Sequence, residues 1–202
     1  MGLESLCTAR FKRQSSPGKL LLESDFLLFR GAFRLKIPFR AMQSVRASVG
    51  TLRITFPDGT AAFDLGTAAP KWADKILHPP SLLDKLGVKP ASSISLLGLF
   101  DKSFLKRLRC RTSAITSGKP VKDSDLIFLA AESKSALSQI KKLRASLRSA
   151  GALWVVYPKG QAQITEADVM AAAKSAGLVD VKVCSFSSSH TALKLVIPLV
   201  RR

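Results

Sequence analysis

The chain has 202 residues but only two histidines, His78 and His190, and three cysteines, Cys7, Cys110 and Cys184. Their number and spacing exclude a His-rich zinc site and a protease helix with two histidines one turn apart. Cys184 and His190 flank one predicted hairpin and have the residue types of a nucleophile and its base. Strand alternation sets Cys184 on the side of Lys182 and Phe186, and the expectation is an inert thiol. Asp123 with Asp125, and Glu166 with Asp168, are paired carboxylates. Turn formation and helix-dipole complementarity explain them better than acid–base work. No catalytic residue and no metal ligand is predicted, and the reading leans away from an enzyme. The odd, scattered cysteines predict free thiols in a reducing cytoplasm.

Nucleotide binding by an α/β domain needs a glycine-rich turn, because only glycine lets backbone N–H groups come close to pyrophosphate. Here the first strand of the second half runs into Leu97, Gly98, Leu99, Phe100 and Asp101, and one glycine followed by Leu and Phe is a poor cradle. Neither Gly18-Lys19 nor Gly118-Lys119 is a phosphate loop, since Leu20 and Pro120 follow where Ser or Thr would hold magnesium. The expectation is no cofactor. A degenerate or unusual enzyme binding a nucleotide or S-adenosylmethionine is the alternative.

Charge is the anomaly: 32 Lys and Arg against 14 Asp and Glu leave +18, a field that attracts polyanions. Residues 102–122 hold Lys102, Lys106, Arg107, Arg109 and Arg111 without one acid. Residues 133–150 read as one helix with Lys134, Lys141 and Arg148 at seven-residue spacing and Arg144 beside them, opposite Ala136, Ile140, Leu143 and Leu147. These nine cations are the predicted contacts to a polyanion, a nucleic acid or an anionic lipid headgroup, bound without sequence preference through phosphates. The main expectation is therefore a non-catalytic binding or regulatory protein. A protein–protein interaction module, whose charge serves only solubility, is a further alternative.

The elements that would position these residues fall into two halves. Residues 1–18, ending in Ser15, Ser16, Pro17 and Gly18, read as a flexible start. Residues 19–78 show short alternating apolar segments broken by Gly31, Gly50 and Gly59, then a Trp72-containing helix begun by Pro70, which predicts an antiparallel β meander of about five strands with a closing helix. Residues 79–91 read as a linker with a short helix. Residues 92–202 alternate apolar strands with amphipathic helices and predict an open α/β sheet ending in an antiparallel hairpin. The helix near Thr165 and Asp168 shows capping-box spacing. No run of about eighteen apolar residues is present, residues 1–19 do not read as a secretory signal, and the expected location is the cytoplasm.

Residues 152–160, with Trp154, Tyr157, Pro158 and Gly160, then Ile164 to Asp168, then Ser175 to Cys184, resemble a bacterial family of unknown function with a small Rossmann-like C-terminal domain, over about residues 83–197. Where that family carries an acidic-x-Trp element, this chain has Ser187, Ser188, Ser189 and His190. The resemblance implies a fold and no activity. The first half is similar in pattern to small bacterial PH-like or GRAM-like barrels, through Lys36, Ile37, Pro38 and Phe39 leading into Ser44 and Val45.

Overall fold

The computed structural model describes residues 3–201; the first two residues of the expected flexible start and the last of the C-terminal domain lie outside the described residues. The chain forms two compact units, residues 1–80 and 81–202. Among the described residues, the first unit has seven strands, β1 (Leu3–Phe11), β2 (Gln14–Leu22), β3 (Phe26–Gly31), β4 (Arg34–Pro38), β5 (Ser44–Ser48), β6 (Thr51–Phe56) and β7 (Gly59–Asp64), and one α-helix, α1 (Ala69–Leu77). They form one curled antiparallel sheet, a half-barrel, in the order β4-β3-β2-β1-β7-β6-β5. Leu20, Leu27, Phe29, Ile37, Leu52, Ile54 and Phe63 are fully buried inside it, and Trp72, Ala73 and Ile76 of α1 close the core.

Residues 3–18, expected as a loose start, form regular structure. β1 and β2 pair over their whole length, from Leu3 opposite Leu22 to Phe11 opposite Gln14, around a two-residue loop in which Lys12 takes a left-handed φ of 54°. Ser15, Ser16, Pro17 and Gly18, read as a breaker, lie within β2. The glycine has a packing reason: a Cβ on Gly18 would lie 2.6 Å from the Phe29 ring, and one on Gly31, its partner across β3, would lie 2.8 Å from the same ring. The pair clears space for a fully buried phenylalanine. Arg10 also holds Asp64 through two bonds of 2.6 Å, but a half-exposed ion pair adds at most about 1 kcal/mol. Each fully buried large apolar side chain adds about 1.5–3 kcal/mol, so the core decides the pairing of β1 with β7.

The described residues of the second unit form α2 (Leu82–Leu86), β8 (Ile94–Leu97), α3 (Lys102–Arg111), β9 (Ile115–Ser117), β10 (Ser124–Ala130), α4 (Ile140–Arg144), β11 (Leu147–Pro158), α5 (Glu166–Ser175), β12 (Val179–Ser185) and β13 (His190–Val196). The sheet order is β12-β13-β11-β10-β8-β9. β9, β8, β10 and β11 run parallel, and β13 is antiparallel to both its neighbours. This is a mixed, Rossmann-like α/β sheet with few helices. Its middle strands are apolar on both faces, and alternation deals their side chains to two cores. Phe128, Trp154 and Val156 pack with Leu83, Leu86, Phe104 and Leu108 on one face. Ile127, Leu129, Leu153 and Val155 pack with Ile140, Leu143, Val169 and Ala173 on the other.

Two expectations need correction here. Residues 81–91 are not a linker, because Leu83, Leu86 and Val88 are core residues and Leu86 O accepts a 3.0 Å hydrogen bond from the buried Trp154 indole. The helix over residues 133–150 is not one helix: a 3-10 turn spans Lys134–Gln139, α4 ends at Arg144, and Leu147 already opens β11 opposite Ser124. Ser138 donates to Ser135 O at 2.7 Å, and such local serine bonds compete with a regular helix. β12 is an edge strand in which Val179, Val181 and Val183 are exposed and the register to β13 shifts between Asp180 and Lys182.

Replacing Gly18 by Ala should overpack the first unit and cost about 1–3 kcal/mol. Equilibrium urea unfolding should show a lower midpoint, and Ala at the solvent-side Gly66, which has open space around it but a left-handed φ of 56°, should cost less.

Candidate functional site

In the second unit the chain leaves β8 to one side to form β9, then crosses to the other side to form β10. The connection that leaves β8 for β9 and the one that leaves β10 for β11 therefore diverge above the carboxyl ends of β8 and β10, and in open α/β sheets ligands bind in the crevice this leaves. A cavity of about 290 Å³ lies there. Leu99, Phe100 and Asp101 line it after β8, Ala130 and Glu132 after β10, Val156 near the end of β11, and residues 186–190 from the β12–β13 turn.

Gly98 shapes the floor. Its φ is +87°, and a Cβ there would lie 2.9 Å from Ala130 O and 3.0 Å from Ala130 Cβ. It is a close-packing glycine between neighbouring strand ends, not part of a phosphate cradle. Phe100 follows and joins an aromatic group, 5.5 Å from Phe104, 6.4 Å from Phe128 and 6.2 Å from Phe186 between ring centroids. Asp101 caps α3, accepting a 2.8 Å bond from Phe104 N–H. That bond, followed by one from Ser103, holds its carboxyl below the usual range. A fixed negative charge thus occupies the helix end where pyrophosphate would sit, and no acid stands at Ser117, Gly118 or Lys119 after β9 to hold a ribose. A dinucleotide does not fit these residues.

At the mouth, His190 Nδ1 lies 2.9 Å from Ser189 Oγ and His190 Nε2 lies 3.3 Å from Glu132 Oε1. Lys159 bonds Ser185 Oγ at 2.8 Å and Ser187 O at 2.6 Å, which ties the end of β11 to the turn. On a chain of +18, the cavity lining itself holds two acids, one histidine and neither Lys nor Arg. His190 is engaged by Ser189 and Glu132, while Cys184 is buried in the aromatic-lined core, and burial pushes its thiol pKa up. An inert thiol follows. Among the described residues, no group of three His, Cys, Asp or Glu side chains is placed to hold a metal.

The nine predicted polyanion contacts do not gather on one face. Lys102, Lys106, Arg107, Arg109 and Arg111 belong to α3, whose Phe104 and Leu108 pack on one side of the sheet. Lys134, Lys141 and Arg144 belong to the segment whose Leu137, Ile140 and Leu143 pack on the other. Arg148 lies on β11 and pairs with Asp125 at 2.6 Å. Arg111 pairs with Asp84 at 2.8 Å and Lys134 with Asp168 at 2.9 Å.

Sequence reasoning named none of Asp101, Glu132 and Ser189 as site residues, and weighed His190 only as a base for Cys184. A signal existed, since Asp101 and Glu132 each follow an apolar run assigned to a parallel strand, and such positions meet at one edge of the sheet.

No protein-family model and no curated protein matches the chain. Solved structures do. A methyltransferase dependent on S-adenosylmethionine from Aquifex aeolicus matches with 12% identity and a TM-score of 0.49, over 62% of this chain and 93% of that one. An S-adenosylmethionine-dependent O-methyltransferase from Thermotoga maritima matches with 10% identity and a TM-score of 0.46, over 87% and 94%. The C-terminal domain of an unknown protein from Leishmania infantum matches with 10% identity and a TM-score of 0.32, over 37% and 78%. At these identities the likeness is one of layout. The expectation of a non-catalytic, polyanion-binding protein is not kept: the two basic segments on which it rested pack on opposite sides of the sheet, and the one read as a helix over residues 133–150 is not one helix.

Two outcomes follow from this geometry. Gly98→Ala combines a left-handed φ with a backbone clash and should cost about 1–3 kcal/mol, read as a lower thermal midpoint. Lys134, first, and then Thr165 hold the Asp168 carboxyl at about 2 against an ordinary 3.8. A depressed carboxylate pKa gives stability that is fully present above pH about 4 and is lost as pH falls through about 2. Asp168→Asn should lower stability at neutral pH and flatten the fall between these values.

Proposed function

We propose that the second unit is the ligand-binding domain of a degenerate S-adenosylmethionine-binding enzyme, with its site in the crevice above β8 and β10. The observation that carries this reading is the cleft itself: it sits where the strand order reverses, yet an acid caps the helix and no glycine-rich turn is present. Phosphate-bearing ligands are disfavoured there. A nucleoside without phosphates and with positive charge is favoured, and S-adenosylmethionine has that chemistry, with a sulfonium and an ammonium group. Asp101 and Glu132 would face the cationic groups, and Phe100 and Phe186 offer ring faces to the base. When bound, the sulfonium supplies a methyl group to a nucleophile. The chain's own residues exclude water through the aromatic floor and set the sign of the local field.

The strand order of the first unit, seven antiparallel strands followed by a closing helix, supports a PH-like assignment for that half. The α/β unit carries the proposed ligand by itself.

Isothermal titration with S-adenosylmethionine, S-adenosylhomocysteine, NAD and ATP checks the reading. The two phosphate-free ligands should bind and the two phosphate-bearing ones should not. Asp101→Ser keeps a helix cap but removes the charge, so it should weaken S-adenosylmethionine more than S-adenosylhomocysteine. Tighter binding of NAD or ATP, or no binding of either sulfur compound, would refute the proposal.

A further inference from the structure

The β12–β13 turn brings a hydroxyl, an imidazole and a carboxylate into one hydrogen-bonded chain, of which the proposed nucleoside site uses the Glu132 carboxylate and neither the hydroxyl nor the imidazole. Ser189 Oγ lies 2.9 Å from His190 Nδ1, and His190 Nε2 lies 3.3 Å from Glu132 Oε1. Glu132 reaches in from the end of β10, 58 residues away in sequence, so its contact is tertiary, while Ser189 and His190 are neighbours in a serine turn where Ser187 Oγ also lies 3.2 Å from Ser189 Oγ. The carboxylate has no proton to give and accepts from Nε2–H. This fixes the tautomer and leaves the Nδ1 lone pair facing the Ser189 hydroxyl. A serine that can pass its proton to an imidazole oriented by an acid is an activated nucleophile, whichever ring nitrogen faces it.

The surroundings set what it can attack. Ser187 Oγ accepts from the backbone N–H of Ser189 at 3.3 Å and of His190 at 3.0 Å, so these two donors are engaged and do not form an oxyanion hole. Without one, an acyl acceptor needs a donor with a good leaving group. The His190 side chain is 29% exposed and Glu132 is 70% exposed, so small esters reach the serine from solvent.

We propose that Ser189 is an acyl-accepting nucleophile for activated esters, with His190 as its base and Glu132 as the residue that positions His190. Ser189 Oγ forms a bond to the acyl carbon while its proton passes to His190 Nδ1. The ester C–O bond breaks and the leaving oxygen takes the electron pair. The proton then passes from His190 to that oxygen or to solvent, and an O-acyl serine remains. This does not rest on S-adenosylmethionine binding and goes beyond it.

The probe is 4-nitrophenyl acetate, added to the full chain near neutral pH and read by release of 4-nitrophenol and by peptide mass. One acetyl group is expected on Ser189. His190→Ala should slow its formation by about 10²-fold, Glu132→Gln should slow it less, and Ser189→Ala should abolish it, with thermal midpoints showing that each variant is folded. Acetyl groups on lysines with none on Ser189, or equal Ser189 labelling in His190→Ala, would overturn the proposal. Ligand titration of Ser189→Ala and His190→Ala keeps the two readings separate, because loss of labelling with intact S-adenosylmethionine binding concerns Ser189 and its base alone.

Discussion

The second unit is organised by a strand whose later part has no solvent-facing side. β11 lies between β10 and β13, and Ala152 to Val156 are buried on both faces. An apolar strand of this kind has to be covered twice, and the connections on either side of it supply the cover. Trp154 shows how tightly the requirement acts. Its ring is fully buried and its indole N–H would be left unpaired without Leu86 O, a loss of about 1–3 kcal/mol. The segment after Pro80 is consequently drawn into the fold. The two-sided cover also separates α3 from α4, which is why cations that are close in sequence end on opposite faces.

Much of this was legible in residues and some was not, for physical reasons. The strand at Trp154, the capping box at Thr165 and Asp168, and the helix ended by His78 follow from local rules, and the structure forms each of them. The first hairpin was hidden because Pro17 and Gly18 are breakers by propensity. Only a ring from a strand farther along, Phe29, explains why a glycine belongs there. Seven-residue spacing of Lys134, Lys141 and Arg148 imitates a helix stripe, but the chain has to descend to pair Leu147 with Ser124, and that tertiary demand overrides the local pattern. The site was the least legible part. Asp101 and Glu132 are 31 positions apart in the numbering, and nothing local to either shows that strand crossover will bring both to one cavity.

The cleft differs from a phosphate-binding turn in a single physical respect, the sign of its fixed charge. A helix amino end is a positive pole, and capping it with Asp101 spends that pole on the chain's own carboxylate. Phe100 then fills the space that a glycine turn would leave open for backbone donors. The sign of the charge in this crevice is thus set by the first strand-to-helix connection, on a chain that carries +18 overall.

The edge strand β12 has a separate significance. Its row of valines is the side-chain half of a template for sheet growth, and an outermost strand normally offers the backbone half as well. The register shift between Asp180 and Lys182 puts consecutive amides out of step. An arriving strand would meet a sticky row it cannot zip onto, so the molecule keeps an apolar edge without becoming a seed for its own aggregation.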